Sequence, residues 1–188
     1  DTPMGIHFVV HSSGMPWFQA FVQRLARAHG TPDNLIHGFE TPELRRMILR
    51  NVTLITPICT VNNVRSILAD LWGDWSLPST AKSRPLAIYA QTAARDAGEN
   101  LCGYSGSFLE LARRCFPLDG SMPTIAKSNI IAGHSDGAHE LSSKLANTGL
   151  LEIMSVATSP SSTHANLMSD PHLLNAVYQR IKACGINS

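Results

Sequence analysis

A glycine-bounded turn between two regular segments is the strongest constraint on how this chain can fold. Residues 129–132 read Asn-Ile-Ile-Ala, apolar enough for a buried strand, and residues 137–147 have the spacing of a helix. Between them lies the pentapeptide 133–137, Gly-His-Ser-Asp-Gly. A turn this tight is expected to strain its central residue, Ser135, and to exclude side chains two residues before and after it. Residues 128–158 are therefore predicted to form a strand, a sharp turn, a helix and a second strand.

The same alternation of strand and helix patterns continues along the whole chain. Short β-branched, apolar runs alternate with longer segments in which apolar residues recur at helical spacing. This order is typical of an α/β fold with a mainly parallel sheet and helices on both faces. The predicted strands are 5–10, 34–37, 51–58, 85–91, 128–132 and 150–157, and the predicted helices are 16–29, one beginning at Thr41, 62–72, 107–115, 137–147 and 173–183, with a loop at 73–84.

Length and charge narrow the class of protein. A chain of 188 residues that is 44% hydrophobic suits a single domain spanning residues 1–188. The formal net charge is +1, and no run of basic residues forms the stripe that a non-specific nucleic-acid binder needs. No apolar run approaches the roughly 20 residues of a membrane-spanning helix. We therefore expect neither a nucleic-acid partner nor a membrane span.

Three features favour a secreted, disulfide-bonded glycoprotein. The chain begins at Asp1 rather than Met, Asn51 opens an Asn-Val-Thr sequon, and the cysteine count is even. The alternative is a cytoplasmic protein with four buried free thiols. None of the cysteines forms a Cys-x-x-Cys pair, so no structural zinc site is expected. The four cysteines are Cys59, Cys102, Cys115 and Cys184.

The Gly-x-Ser-x-Gly turn in its strand–helix setting resembles the nucleophile elbow of the α/β-hydrolase family, in particular small lidless esterases similar to cutinases. Residues 5–37 resemble an earlier unit of that family, whose loop supplies an oxyanion-hole amide. The resemblance implies a three-layer sandwich, no cofactor, and attack by Ser135 on a small-molecule carboxylic ester. It places the oxyanion-hole amides at Asp136 and near Ser12, in the loop 11–14.

The resemblance also implies a histidine base that follows the serine in the chain, and an acid. His172, just before the last predicted helix, is the first choice for the base, and His164 is the second. Asp170 is the candidate acid and would pair with either histidine. Asp96 is expected in a polar, solvated loop.

Three alternatives stay open at this point. His134 and Asp136 are similar to the first ligand motif of co-catalytic zinc peptidases, which predicts a zinc-dependent hydrolase. The turn also suits a non-catalytic α/β binding module that holds a small anion at a helix N-terminus. The third alternative is that the chain is one piece of a larger hydrolase, because an acid on a separate loop between Ser135 and the histidine is lacking.

Overall fold

A computed structural model of the chain describes residues 4–29, 47–72, 85–96 and 132–185. Within these ranges, four strands form one parallel sheet in which the order across the sheet is the order in the sequence. Neighbouring parallel strands need crossover connections, which place helices against the sheet. The predicted α/β class with a parallel sheet is confirmed. The strands are β1 (Met4–His11), β2 (Met47–Ile55), β3 (Leu86–Tyr89) and β4 (Leu151–Ile153).

Helices follow the strands in the described part of the chain. Three short 3₁₀ segments adjoin them, at Ser12–Gly14, Ala146–Thr148 and Leu167–Ser169. The α-helices are α1 (Met15–His29), α2 (Val61–Trp72), α3 (Ala93–Asp96), α4 (Ser135–Leu145) and α5 (Pro171–Gly185).

Apolar side chains of the sheet pack into separate clusters on its two faces. Val52 and Leu54 of β2 belong to a cluster that includes residues of α1, α2 and α4. Ile55 of β2 belongs to a second cluster, together with Leu173 and Val177 of α5. Because successive side chains of a strand point to opposite faces, these clusters lie on opposite sides of the sheet. Helices and apolar clusters therefore cover both faces of the sheet.

The observed boundaries differ from the predicted ones mainly where strands end. β4 was expected over 150–157 but spans only Leu151–Ile153, and its last pair joins Ile153 to Ile88 of β3. Helix α4 begins at Ser135, two residues before its predicted start. The strand at 34–37, the helix beginning at Thr41, the loop at 73–84, the helix at 107–115 and most of the strand at 128–132 lie outside the described residues.

The features that favoured secretion are placed as follows. Asn51 of the sequon lies in the middle of β2 and has no exposed surface to offer a glycan. Cys59 is a buried free thiol, and burial raises its pKa. Cys102 and Cys115 lie outside the described residues, so disulfide bonding stays a prediction. No helix in the described ranges has the length and apolar character needed to cross a membrane.

The turn before α4 is packed tightly against the segment that follows β2, and this generates a first prediction. A Cβ atom on Gly133 would lie 2.7 Å from the Pro57 backbone oxygen and 2.8 Å from the Thr56 carbonyl carbon. Gly133→Ala should therefore lower the free energy of unfolding by about 1–3 kcal/mol, since backbone atoms cannot move aside cheaply. Urea unfolding followed by circular dichroism measures the change.

Gly14→Ala is the matched control. A Cβ atom there meets only the Val10 side chain, at an ordinary 3.4 Å. This variant should unfold at nearly the wild-type urea concentration. Equal effects of the two substitutions would contradict the packing seen around Gly133.

Candidate active site

Four chain segments meet at the carboxyl edge of the sheet, the usual location of sites in open parallel sheets. Ser12 directly follows β1, Asp96 ends the short helix after β3, and His164 lies on the loop after β4. The fourth segment carries His134, which pairs with Gln91 beyond the end of β3 through an isolated parallel bridge. Residues far apart in the sequence are thus gathered because all four strands run in one direction.

Ser12 occupies a strained turn between β1 and α1. Its φ is 52°, and among the described residues the only other non-glycine residue with a positive φ is Thr56. The Ile58 amide donates a hydrogen bond of 3.1 Å to the Ser12 carbonyl oxygen, which ties this turn to the segment after β2. Strained residues persist only where surrounding contacts fix them, and they concentrate at functional sites. The serine stands just before the positive end of α1.

The Ser12 hydroxyl, an imidazole and a carboxylate form one continuous chain of contacts. Ser12 Oγ lies 2.6 Å from His164 Nε2. On the other side of the ring, His164 Nδ1 lies 3.0 Å from Asp96 Oδ1. A carboxylate beside Nδ1 favours the tautomer with its proton there, which leaves the Nε2 lone pair facing the serine. His164 is 3% exposed and Asp96 has no exposed surface, so these charges interact with little solvent screening.

Two further histidines surround this group. The His11 Nε2 donates a hydrogen bond of 3.1 Å to the backbone oxygen of His164, and the two rings lie 5.3 Å apart. His134 Nε2 is 3.6 Å from Asp96 Oδ2, the carboxylate oxygen that does not face His164. These two contacts therefore hold the loop backbone at His164 and the second oxygen of Asp96.

Ser135, the predicted nucleophile, is the first residue of α4. Its amide donates a hydrogen bond of 2.9 Å to the Gln91 carbonyl oxygen, and its side chain is half-buried. It has no positive φ, so the strain expected at this serine is found at Ser12 instead. Among the described residues, no hydrogen bond joins the Ser135 hydroxyl to a histidine. Its role as nucleophile stays a prediction.

Asp170, the predicted acid, caps helix α5. Its Oδ1 accepts the amide hydrogens of His172 and Leu173, at 2.9 and 3.1 Å, as an N-cap aspartate does. Its Oδ2 accepts a hydrogen bond of 2.7 Å from the Ser159 amide and another from the Ser162 hydroxyl. None of these four bonds joins the carboxylate to an imidazole. The side chain of His172, the predicted base, is exposed on the first turn of the helix.

The two candidate zinc ligands, His134 and Asp136, do not face a common site. The Asp136 side chain is exposed on the first turn of α4, whereas the His134 ring faces Asp96. Within the described part of the chain, no group of three or more histidine, cysteine, aspartate or glutamate side chains could hold a metal ion.

The sequence interpretation missed Asp96, the carboxylate that contacts His164. The expectation that it lies in a solvated loop is wrong, because its side chain is completely buried. Two signals pointed to the observed site. Ser12 follows an apolar strand and precedes a glycine by two residues, as the serine of an elbow does. Asp96 and His164 follow Ser12 in the sequence, which is the order serine, acid, histidine of the α/β-hydrolase family. His164 was the second choice for the base, and Ser12 was expected to supply an amide rather than its hydroxyl.

Comparisons with known proteins assign no family to this arrangement. No protein-family model, curated protein or solved structure matches the chain.

The hydrogen bonds on Asp170 generate a prediction about acid stability. The Ser162 hydroxyl bond is the largest of the effects that lower the pKa of Asp170 to about 2; burial opposes it and the backbone amides of Leu173, Ser159 and His172 assist. Because this pKa lies below that of the unfolded chain, the stabilisation is complete above about pH 4 and is lost as the pH falls towards 2. Ser162→Ala should therefore move acid unfolding to a higher pH.

Far-UV circular dichroism against pH, in a fixed sub-denaturing concentration of urea, measures the midpoint. Ser155→Ala, at an exposed serine earlier on the same loop, is the matched control and should keep the wild-type midpoint. An unchanged midpoint in Ser162→Ala would show that this hydroxyl does not hold Asp170 ionised.

Proposed function

We propose that the protein is a serine hydrolase that cleaves carboxylic esters through an acyl-enzyme on Ser12. The observation that carries the proposal is the contact chain from Ser12 Oγ to His164 Nε2 and from His164 Nδ1 to Asp96. A nucleophile hydrogen-bonded to a base that is oriented by a third group is the arrangement recognised in serine hydrolases on unrelated folds.

Each residue of the triad has a defined task in this mechanism. His164 Nε2 takes the proton of Ser12 as Oγ attacks the ester carbonyl, and then gives that proton to the departing alkoxide oxygen. The acyl-enzyme that remains is attacked by water, which His164 deprotonates in the same way. The proton returns to Ser12 Oγ as the acid product leaves. Asp96 stays ionised and stabilises the imidazolium that exists in both steps.

The turn also suggests where the oxyanion is stabilised. The amide of Ser13 follows the nucleophile directly and lies in the first turn of the 3₁₀ segment that leads into α1. Amides at the start of a helix have no acceptor within the helix, and they lie at its positive end. The Ser13 N–H is therefore the first candidate donor to the tetrahedral oxyanion. The predicted donors, the amides at Asp136 and Ser12, belong to the mechanism through Ser135.

Chain order supports a relationship with the α/β-hydrolase family. Nucleophile, acid and histidine follow each other as Ser12, Asp96 and His164, which is the order in that family. They follow β1, β3 and β4 of the parallel sheet, at its carboxyl edge. We accordingly propose an α/β-hydrolase-like sandwich in which the elbow is the turn after β1 rather than the turn at 133–137.

A fluorophosphonate probe tests the nucleophile directly, because it bonds covalently to activated serines. The native chain should be labelled, Ser12→Ala should not be labelled, and Ser135→Ala should be labelled as the native chain is. Fluorescence after denaturing electrophoresis, followed by peptide mass spectrometry, identifies the modified residue. Labelling that disappears in Ser135→Ala and persists in Ser12→Ala would assign the nucleophile to Ser135 instead.

Asp96→Asn tests the acid. An amide cannot hold the imidazole in the productive tautomer or stabilise its charged form, so the labelling rate should fall on the order of 10⁴-fold. The measurement is the second-order rate constant with the same probe, with circular dichroism to verify the fold. Asp136→Asn, at an exposed aspartate, is the matched control and should react at the native rate. A native rate in Asp96→Asn would exclude Asp96 from the mechanism.

A further inference from the structure

The position of the loop that carries His164 must be fixed by contacts with other parts of the chain. Between the end of β4 at Ile153 and the start of α5 at Pro171, the described chain contains no regular structure except the 3₁₀ turn Leu167–Ser169. A histidine base must nevertheless be held to within a fraction of an ångström of its partners. Loss of the contacts that hold this loop is therefore expected to affect catalysis.

Arg95 makes three hydrogen bonds to the start of this loop. Its Nη1 donates to Thr158 Oγ1 at 2.9 Å, and its Nη2 donates to the backbone oxygens of Thr158 and Ser159, at 3.3 and 2.6 Å. The Tyr89 hydroxyl, at the end of β3, contacts the same Thr158 Oγ1 at 3.0 Å. One rigid guanidinium group thus fixes two successive residues of the loop in both position and orientation.

Arg95 is also the residue directly before Asp96, in the short helix α3. The Thr92 carbonyl oxygen accepts hydrogen bonds of 3.1 Å from the amides of both Arg95 and Asp96, which holds the two residues in one helical turn. The loop that carries the base is therefore tied to the same turn that carries the acid. Asp170 holds this loop from its other side through the Ser159 amide.

We propose that Arg95 is a positioning residue of the active site: its guanidinium clamps Thr158 and Ser159 and so sets His164 against Asp96 and Ser12. This inference rests on the proposed serine hydrolase function. Lysine cannot replace arginine here, because a single ammonium nitrogen cannot reach one hydroxyl and two carbonyl oxygens in the geometry of the planar fork. Loss of the clamp misaligns the base, and a misplacement of about 1 Å costs on the order of 10²-fold in rate.

Saturation kinetics of fluorophosphonate labelling test the clamp in Arg95→Met, Arg95→Lys and a matched control, Arg65→Met, at an exposed arginine of α2. Arg95→Met should lower the maximal labelling rate on the order of 10²-fold, with the half-saturating probe concentration unchanged. The maximal labelling rate of Arg95→Lys should lie between that of Arg95→Met and that of the native chain. Arg65→Met should be labelled at the native rate. Methylguanidine at millimolar concentration should partly restore labelling of Arg95→Ala, an effect that a loss of general stability does not produce.

Amide hydrogen exchange gives a readout that does not depend on catalysis. Residues 158–164 should exchange faster in Arg95→Met than in the native chain, whereas helix α4 should be unchanged. If the native chain is labelled at Ser12 and Arg95→Met is labelled at the native rate, Arg95 does not position the base, and the proposed hydrolase function is unaffected. A native chain that is not labelled at all overturns the hydrolase function, and the clamp falls with it.

Discussion

A carboxylate with no exposed surface is the constraint on which the site depends. Ionised groups are costly to bury unless charged or polar partners surround them, and Asp96 is completely buried. The structure places two imidazoles against its two oxygens, His164 at 3.0 Å and His134 at 3.6 Å. The need to satisfy one buried charge therefore draws the loop after β4 and the turn before α4 to the same edge of the sheet, next to Ser12.

The sheet itself could be predicted from the sequence. β-branched, apolar runs such as that of β2 and amphipathic spacing such as that of α5 are local signals, and the order of strand and helix predicts parallel pairing. The same patterns cannot place a strand end, because the end of strand pairing depends on the path of the chain in three dimensions. β4 is the example: apolar residues continue past Ile153, but the pairing with β3 stops there, although β3 extends to Tyr89.

The site was only partly predictable, because burial and backbone strain are tertiary properties. Nothing local to Asp96 distinguishes it from a solvated aspartate; it is buried by elements distant in sequence. The Ser12 turn was recognised as part of the site, but Val10 stands where the familiar elbow motif has its first glycine. The glycines at 133–137 match the motif better than the Ser12 turn does, and Gly133 is more tightly packed than Gly14. The positive φ is nevertheless at Ser12 and not at Ser135.

Two serines thus lie in turns that lead into helices at one edge of the sheet, and they differ in the residues that surround them. The Ser135 amide is held by the Gln91 carbonyl oxygen, and the neighbouring His134 ring turns to Asp96. The Ser12 hydroxyl, by contrast, meets an imidazole whose other nitrogen faces a carboxylate. A tight turn exposes a serine, but activation requires a base aligned by a third group, and that base arrives on a loop with little regular structure. In the mechanism that we propose, the contacts that fix this loop, from Arg95 on one side and Asp170 on the other, therefore matter as much as the turn itself.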